Sequence, residues 1–392
     1  MITVVAVWLY DDYLNVGNLA LAMTITNIFA SIALYNSRNF QVSDIREEYK
    51  DGEYVMARLL TCAAAILLCA AFVFIVDFTP VQRIIIICYM LFRANESFID
   101  VLHGIDQKNW KMEYIGISLA VRGILMLTAF VIFGWLFDIL FAIIAMAVST
   151  TIVGFLYDIP KTKKLAVLTS NAGKQIYLLI KRCFPLMILS LVNIAIITYA
   201  RFALERIHGT EALGAYTAVS TPAMVIQIAA TMLFVPLINL LSGCLKTGDK
   251  KRFTRLFILT AITLVMMTSM FAVLSHFFGE WTLDILYDYT IIPYAYLLPG
   301  ASVAVGLISC LVFMNLIFTA IRDIKGLFVG NLIGLVISLS TANVLLNYFG
   351  IIGVNHVMII SQAVVVFLLT IRLFWYIKTN PGLFLPPEPQ SE

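Results

Sequence analysis

Eleven apolar runs succeed one another along the chain, at about 14–36, 55–76, 80–102, 113–134, 136–157, 180–203, 212–244, 254–278, 290–320, 327–347 and 352–377. Each matches a membrane crossing, because a hydrocarbon core about 30 Å thick takes roughly 20 residues of α-helix. Helix also satisfies every backbone polar group within its own segment, as lipid demands. Composition agrees: 61% of the 392 residues are hydrophobic and 12% charged, where a soluble domain carries about a quarter charged. Met1 to Tyr10 is apolar but too short to cross alone. It lacks a basic n-region and runs into Asp11-Asp12, unlike a cleavable signal peptide. It reads as the outer end of a first helix, and the natural start is expected upstream of Met1. The expected fold is all-α: a polytopic membrane protein of about 12 transmembrane helices, the first truncated, in two six-helix halves.

The connections set the orientation. Alternate connections hold 21 of the 26 lysines and arginines, from Arg38, Arg46, Lys50 and Arg58 through the Lys250–Arg255 cluster to Arg372 and Lys378. The opposite side holds only Arg83, Arg201 and Arg206, and two arginines, Arg93 and Arg122, fall inside spans. Positively charged loops stay in the cytoplasm, so the basic loops and the C-terminus are expected there. The acidic loop with Glu280, Asp284 and Asp288 faces out.

A shift of 197 residues lays Gly17 on Gly214 and Arg58 on Arg255, and Asp51-Gly52 resembles Gly248-Asp249. That shift is about six helices, an even number, which keeps both halves in one orientation. The expected organisation is an N-terminal half over 1–157, a cytoplasmic linker over 158–180, a C-terminal half over 181–377 and a cytoplasmic tail over 378–392.

Most of the unusual chemistry lies in 93–107. At 100° per residue, Arg93, Glu96, Asp100 and Gln107 share an arc of about 60° on one helix face. A charge at the bilayer centre costs at least about 2.5 kcal/mol, so this face must point into a cavity or a partner helix. Arg122 on the next span lies as far from the connecting loop as Glu96, which makes a Glu96–Arg122 or Asp100–Arg122 pair an expectation. Two compatible readings follow: an ion-pair network locking two helices, and a polar cavity or proton-coupling site. Arg201, near the outer end of its span, suits bidentate phosphate contact or snorkelling at the interface. Asn193, Asn315 and Asn331 read as links between helices, and Pro185, Pro222 and Pro236 as bends.

The six cysteines lie in or beside apolar runs without CxxC spacing, and the four histidines show no ligand spacing. No GxxxxGK[ST] or HExxH occurs, and no polar loop is large enough for an active site. No metal, cofactor, catalytic residue or nucleic-acid partner is expected, and a transporter fits better than an enzyme.

The stretch Arg38-Asn-Phe-Gln41-Val-Ser-Asp44, with Glu48-Tyr49, Gly52-Glu-Tyr54 and Arg58, resembles the first cytoplasmic loop of bacterial polysaccharide-biosynthesis flippases. These are the O-antigen and capsule-repeat exporters of the multidrug/oligosaccharidyl-lipid/polysaccharide superfamily. Glu96…Asp100…His103-Gly104…Gln107 with Arg122, and Arg201 followed by Glu211-Ala-Leu-Gly214-Ala-Tyr216, resemble later helices of the same family. Ala200 departs from the acidic or amide residue expected before Arg201. The resemblance implies flipping of an undecaprenyl-diphosphate-linked oligosaccharide to the outer leaflet of the bacterial inner membrane. It implies Arg93, Glu96, Asp100, Arg122 and Arg201 as cavity residues, and Arg38, Gln41, Asp44, Arg58 and Gln107 as conformational residues of the cytoplasmic side. Implied partners are the lipid-linked substrate, the bilayer and other polysaccharide-assembly membrane proteins. The rivals are a drug or cation exporter of the same superfamily, with a more acidic and aromatic cavity, and a membrane oligosaccharide polymerase, which would need a long external loop.

Overall fold

The computed structural model describes residues 2–10, 13–44, 48–170, 172–287, 289–321 and 323–379. Met1, Asp11, Asp12, Arg46, Asp288, Arg322 and 380–392, which carried parts of the expectations above, lie outside the described residues. The described chain is helical, with no strand. Its first stretch holds α1 (Ile2–Leu9), α2 (Tyr13–Leu34), α3 (Ser37–Ser43), α4 (Asp51–Ile75), α5 (Pro80–Lys108), α6 (Met112–Leu136) and α7 (Ile139–Val153). A π-helical turn, Gly154–Asp158, joins α7 to α8 (Ile159–Thr162). Then come α9 (Gly173–Ser220), α10 (Met224–Thr247), α11 (Lys250–Leu286), α12 (Leu298–Ala320), α13 (Ile324–Phe349) and α14 (Gly353–Thr379). The architecture is that of an all-α polytopic membrane protein of about 12 helices.

The helix ends follow from short-range chemistry. Thr79 starts α5 with a reciprocal cap: Gln82 N–H donates to its hydroxyl at 3.3 Å, and its own N–H donates to Gln82 Oε1 at 3.0 Å. Pro80 takes the first position, where no N–H is needed. Asp138 caps α7, Asp249 caps α11 and Asp323 caps α13 through their carboxylates. Gly248 ends α10 at φ 74°, a left-handed conformation that suits glycine. The expected span 212–244 is not one helix, since Thr221, Pro222 and Ala223 form a turn between α9 and α10. Pro222 has no N–H to continue the ladder. Gly209, at φ 88° and ψ 170°, breaks α9 itself.

Two compact units emerge from the packing, Met1–Glu205 and Arg206–Glu392. In the first, α5 is the central helix, packed by α2, α4 and α7. It is the one expected span too charged to rank among the helices apolar enough to cross a membrane, and its neighbours keep its face from lipid. By contrast α6 turns Ile124, Ile132 and Trp135 outward, surface that suits lipid. The start of α9 belongs to this unit: Ile176, Leu179, Cys183 and Met187 pack among Tyr35, Tyr54, Val101 and Leu102. The spatial division thus falls after the 158–180 segment read as a linker. In the second unit Tyr216 Oη donates to Asn355 Oδ1 (2.9 Å), Asn355 Nδ2 to the Leu297 carbonyl (2.9 Å), and Tyr287 Oη to the Ala218 carbonyl (2.9 Å). Phe234, Phe313 and Phe257 stack at 5.6 and 5.9 Å, filling the space between α10, α11 and α12.

Candidate functional site

A polar cavity of about 280 Å³ opens in the first unit beside α5. Arg93, Glu96, Ser97, Asp100 and His103 line it from α5, Ile115, Leu119 and Arg122 from α6, and Leu34 and Arg38 from α2 and α3. A cleft of about 330 Å³ in the second unit is walled by Phe271, Leu274, Phe278 and Trp281 and carries no charged residue. It is the larger of these two spaces, but of the pair the charged cavity is the one that can orient a polar ligand.

The wall is an ion-pair network. Arg93 Nη1 lies 2.6 Å from Glu96 Oε2, one turn along the same helix, and its Nη2 donates to Asn27 Oδ1 at 3.3 Å. Asp100 receives two arginines: Arg38 Nη1 on Oδ1 at 2.8 Å and Arg58 Nη2 on Oδ2 at 3.2 Å. Arg58 is fully buried and also donates to Ser37 Oγ (2.9 Å) and the Ala33 carbonyl (3.4 Å). A buried guanidinium is tolerable only with such partners. Arg38 Nη2 completes the cluster by donating to Gln107 Oε1 at 3.0 Å.

The hairpin pair expected between Arg122 and Glu96 or Asp100 is not formed among the described residues. Each carboxylate is taken by a nearer arginine, and Arg122 reaches the cavity with a buried Nη1 that has no hydrogen-bond partner there. Three guanidiniums and two carboxylates therefore share the wall, with Arg58 behind Asp100. The excess is positive. Arg201 lies on α9 and is not part of this wall.

The remaining residues of the first loop are structural in their contacts. Gln41 is buried and donates from Nε2 to the Val101 carbonyl at 3.3 Å, while its amide occupies the space that a side chain on Gly104 would need. Asp44 accepts from Glu48 N–H (3.0 Å), Tyr49 N–H (3.1 Å) and Tyr54 Oη (3.1 Å), which turns the chain into α4. Asn331, read as a link between helices, donates instead to the Leu327 carbonyl of its own helix at 2.9 Å. Sequence reasoning missed the convergence of Arg38 and Arg58 on Asp100, and missed Asp106 and Asp158, both buried near His103. Asp158 has a local signal, a carboxylate placed between an apolar run and Ile159-Pro160.

Comparisons with known proteins fit this picture. The chain is 25% identical over 285 residues to the capsular polysaccharide biosynthesis protein CapF of Staphylococcus aureus, covering 70% of this chain and 69% of that protein. Its fold is similar to that of an inward-facing multidrug resistance MATE family transporter of the MOP superfamily. That match has a TM-score of 0.74 at 12% identity and covers 99% of this chain and 95% of the other. It is also similar to the lipid II flippase MurJ in an inward closed conformation, with a TM-score of 0.65 at 14% identity, covering 100% and 91%. The polysaccharide biosynthesis protein family matches residues 12–239, more than half of the chain, and the chain belongs to that family.

Proposed function

We propose that this protein flips a lipid-linked oligosaccharide, carried on undecaprenyl diphosphate, from the cytoplasmic to the outer leaflet of a bacterial inner membrane. Surface polysaccharide, O-antigen or capsule, is the destination. The observation that carries this reading is the cavity beside α5, where guanidiniums outnumber carboxylates and Arg122 keeps a donor unused among the described residues. A diphosphate is a multivalent anion with many acceptor oxygens, and arginine matches it in charge and in fork geometry. Arg93 and Arg122 hold the anion in this reading, with Arg201 meeting it further along. Glu96 and Asp100 hold the arginines in place and exclude unwanted anions. The lipid tail stays in the bilayer while the sugar passes, and the halves 1–157 and 181–377 rock by alternating access. Family membership and likeness in fold to a lipid flippase support the same reading. A cationic drug would meet repulsion at this wall.

The test is complementation of a strain lacking its own polysaccharide flippase, with surface polysaccharide scored at matched membrane protein levels. Wild-type chain restores export; Arg122→Ala lowers it at least about tenfold, the loss of one charge-assisted contact. Arg83→Ala, whose guanidinium lies over the Phe74 ring at 5.9 Å, leaves export within about twofold. Equal export by both variants would remove Arg122 from the site. Failure of the wild-type chain in strains spanning several repeat-unit chemistries would sink the reading.

A further inference from the structure

Gly326 and Gly330 stand four residues apart on α13 and so share one helix face, the face that meets α14. A Cβ on Gly330 would come within 2.8 Å of Leu369 Cδ2, and one on Gly326 within 2.9 Å of Arg372 Nε. This close approach sets Arg372 on Asp323, the residue before α13: Nε donates to Oδ2 at 2.9 Å and Nη2 to Oδ1 at 3.3 Å. Asp323 is buried, and its Oδ1 also accepts from Gly326 N–H at 3.1 Å. The ring of Trp375 lies against the guanidinium, 4.8 Å from its carbon to the ring centroid. Arg372 is thus held on two sides. Its side chain stays 39% exposed all the same, and Nη1 has no hydrogen-bond partner among the described residues.

Beside this clamp a groove of about 260 Å³ runs between the two helices, with Lys325 and Arg372 at one end and Val329, Ile333 and Leu368 along its walls. From Lys325 to Ile333 it extends about 12 Å at 1.5 Å per residue, most of one leaflet's share of a core about 30 Å thick. Val329 and Ile333 are exposed, as are Phe367 and Ile371 on α14, an apolar surface that suits lipid. Trp375 is half exposed beside Arg372, where an aromatic ring marks the level at which hydrocarbon meets headgroups. Lys325 is exposed and has no acidic partner among the described residues. Lys325, Arg372 and Asp323 together carry one net positive charge. A phosphodiester carries one negative charge and matches them; a diphosphate carries more, and a zwitterionic headgroup carries none in net.

We propose that this groove is a binding site for an anionic phospholipid of the bilayer, held as a resident lipid and not as cargo. Its phosphate bridges Lys325 Nζ and Arg372 Nη1, and one acyl chain lies along Val329, Ile333 and Leu368. Arg372 supplies directional donors from a fixed guanidinium, and Lys325 a mobile point charge on a flexible stem. Anionic lipids are drawn to such cations at the membrane surface. The bound lipid ties the first turn of α13 to the last turns of α14 through donors that the protein leaves open. The groove shares no residue with the charged cavity beside α5, so the inference does not rest on the flippase reading.

The experiment is native mass spectrometry of the delipidated full chain in detergent, titrated with phosphatidylglycerol, phosphatidylcholine or undecaprenyl diphosphate. It measures no export and so stands or falls apart from complementation. Wild type should bind one phosphatidylglycerol more tightly than phosphatidylcholine. Lys325→Gln should weaken phosphatidylglycerol binding about fivefold, the loss of one cation at the membrane surface, and leave phosphatidylcholine unchanged. Val329→Trp, which fills the groove, should weaken it at least as much. Both positions are exposed, so both variants keep the fold; Arg372 is left intact, because its loss would strand the buried Asp323. Lys378→Gln removes an equal charge from the exposed end of α14 outside the groove and should stay within about twofold of wild type. Equal binding of the two phospholipids by wild type overturns the proposal. So does an equal weakening by Lys325→Gln and Lys378→Gln, which would mean general attraction to a basic surface. Tighter binding of undecaprenyl diphosphate than of phosphatidylglycerol, lost in Val329→Trp, overturns it too and assigns the groove to cargo.

Discussion

Asp100 holds two arginines, one from the loop side and one fully buried. Removing its carboxylate leaves Arg58 with only neutral partners, Ser37 Oγ and the Ala33 carbonyl. Breaking a buried pair from one side costs about 3–5 kcal/mol, and Asp100 is partly open, so the lower end applies. Asp100→Ala should therefore lower stability by about 3 kcal/mol, read as the shift in thermal unfolding in detergent. Asp100→Glu should recover part of that, since charge is retained. Equal unfolding temperatures for Asp100→Ala and wild type would mean that Arg58 is compensated elsewhere. Gly104 shows the same tightness without charge, because a methyl group there would occupy the place of the Gln41 amide.

At the scale of the element, α5 is unusual in being both charged and central. Packing by α2, α4 and α7 replaces the lipid contact that its composition would make expensive. Its start depends on the Thr79–Gln82 cap, which satisfies two backbone N–H donors that lipid would leave unpaired. Thr79→Ala should cost about 1 kcal/mol and increase hydrogen exchange at residues 81–83, with no change at 93–107. Exchange rising along the whole helix would show that the cap holds more than the first turn. The π turn after α7 acts at the same scale, since it alone sets the azimuth of Asp158.

For the whole molecule, the testable property is orientation. The alternation of basic loops predicts that both the Lys250–Arg255 segment and the end of α14 lie on the cytoplasmic side. A fluorescent protein that folds only in the cytoplasm, fused after Thr379, should be bright. A cysteine placed at Asp284 should react with a membrane-impermeant thiol reagent from outside, in a background where the partly exposed Cys88 and Cys310 are replaced by serine and the four buried cysteines stay silent. A dark fusion and a cysteine labelled only after lysis would invert the topology. The two packed units, Met1–Glu205 and Arg206–Glu392, show why length alone does not locate a division: α9 contributes its first turns to one core and its last to the other.

Arg93 and Glu96 illustrate what local pattern determines. Their spacing of three residues is enough to put them on one helix face, and they pair there at 2.6 Å. The succession of apolar runs likewise determined the helical class and the positions of most helices, because lipid leaves the backbone few alternatives. Pro222 was legible as a break for the same reason, its missing N–H being a property of the residue. The partners of Asp100 were not legible. Arg38 and Arg58 stand 62 and 42 positions earlier, and only the packing of α2, α3 and α4 on α5 brings them to it. Arg122 was placed at the right depth but given the wrong partner, since depth along a hairpin does not say which arginine reaches a carboxylate first. Periodicity fixes which way a side chain faces on its own helix; what it meets there is decided by neighbours distant in the chain.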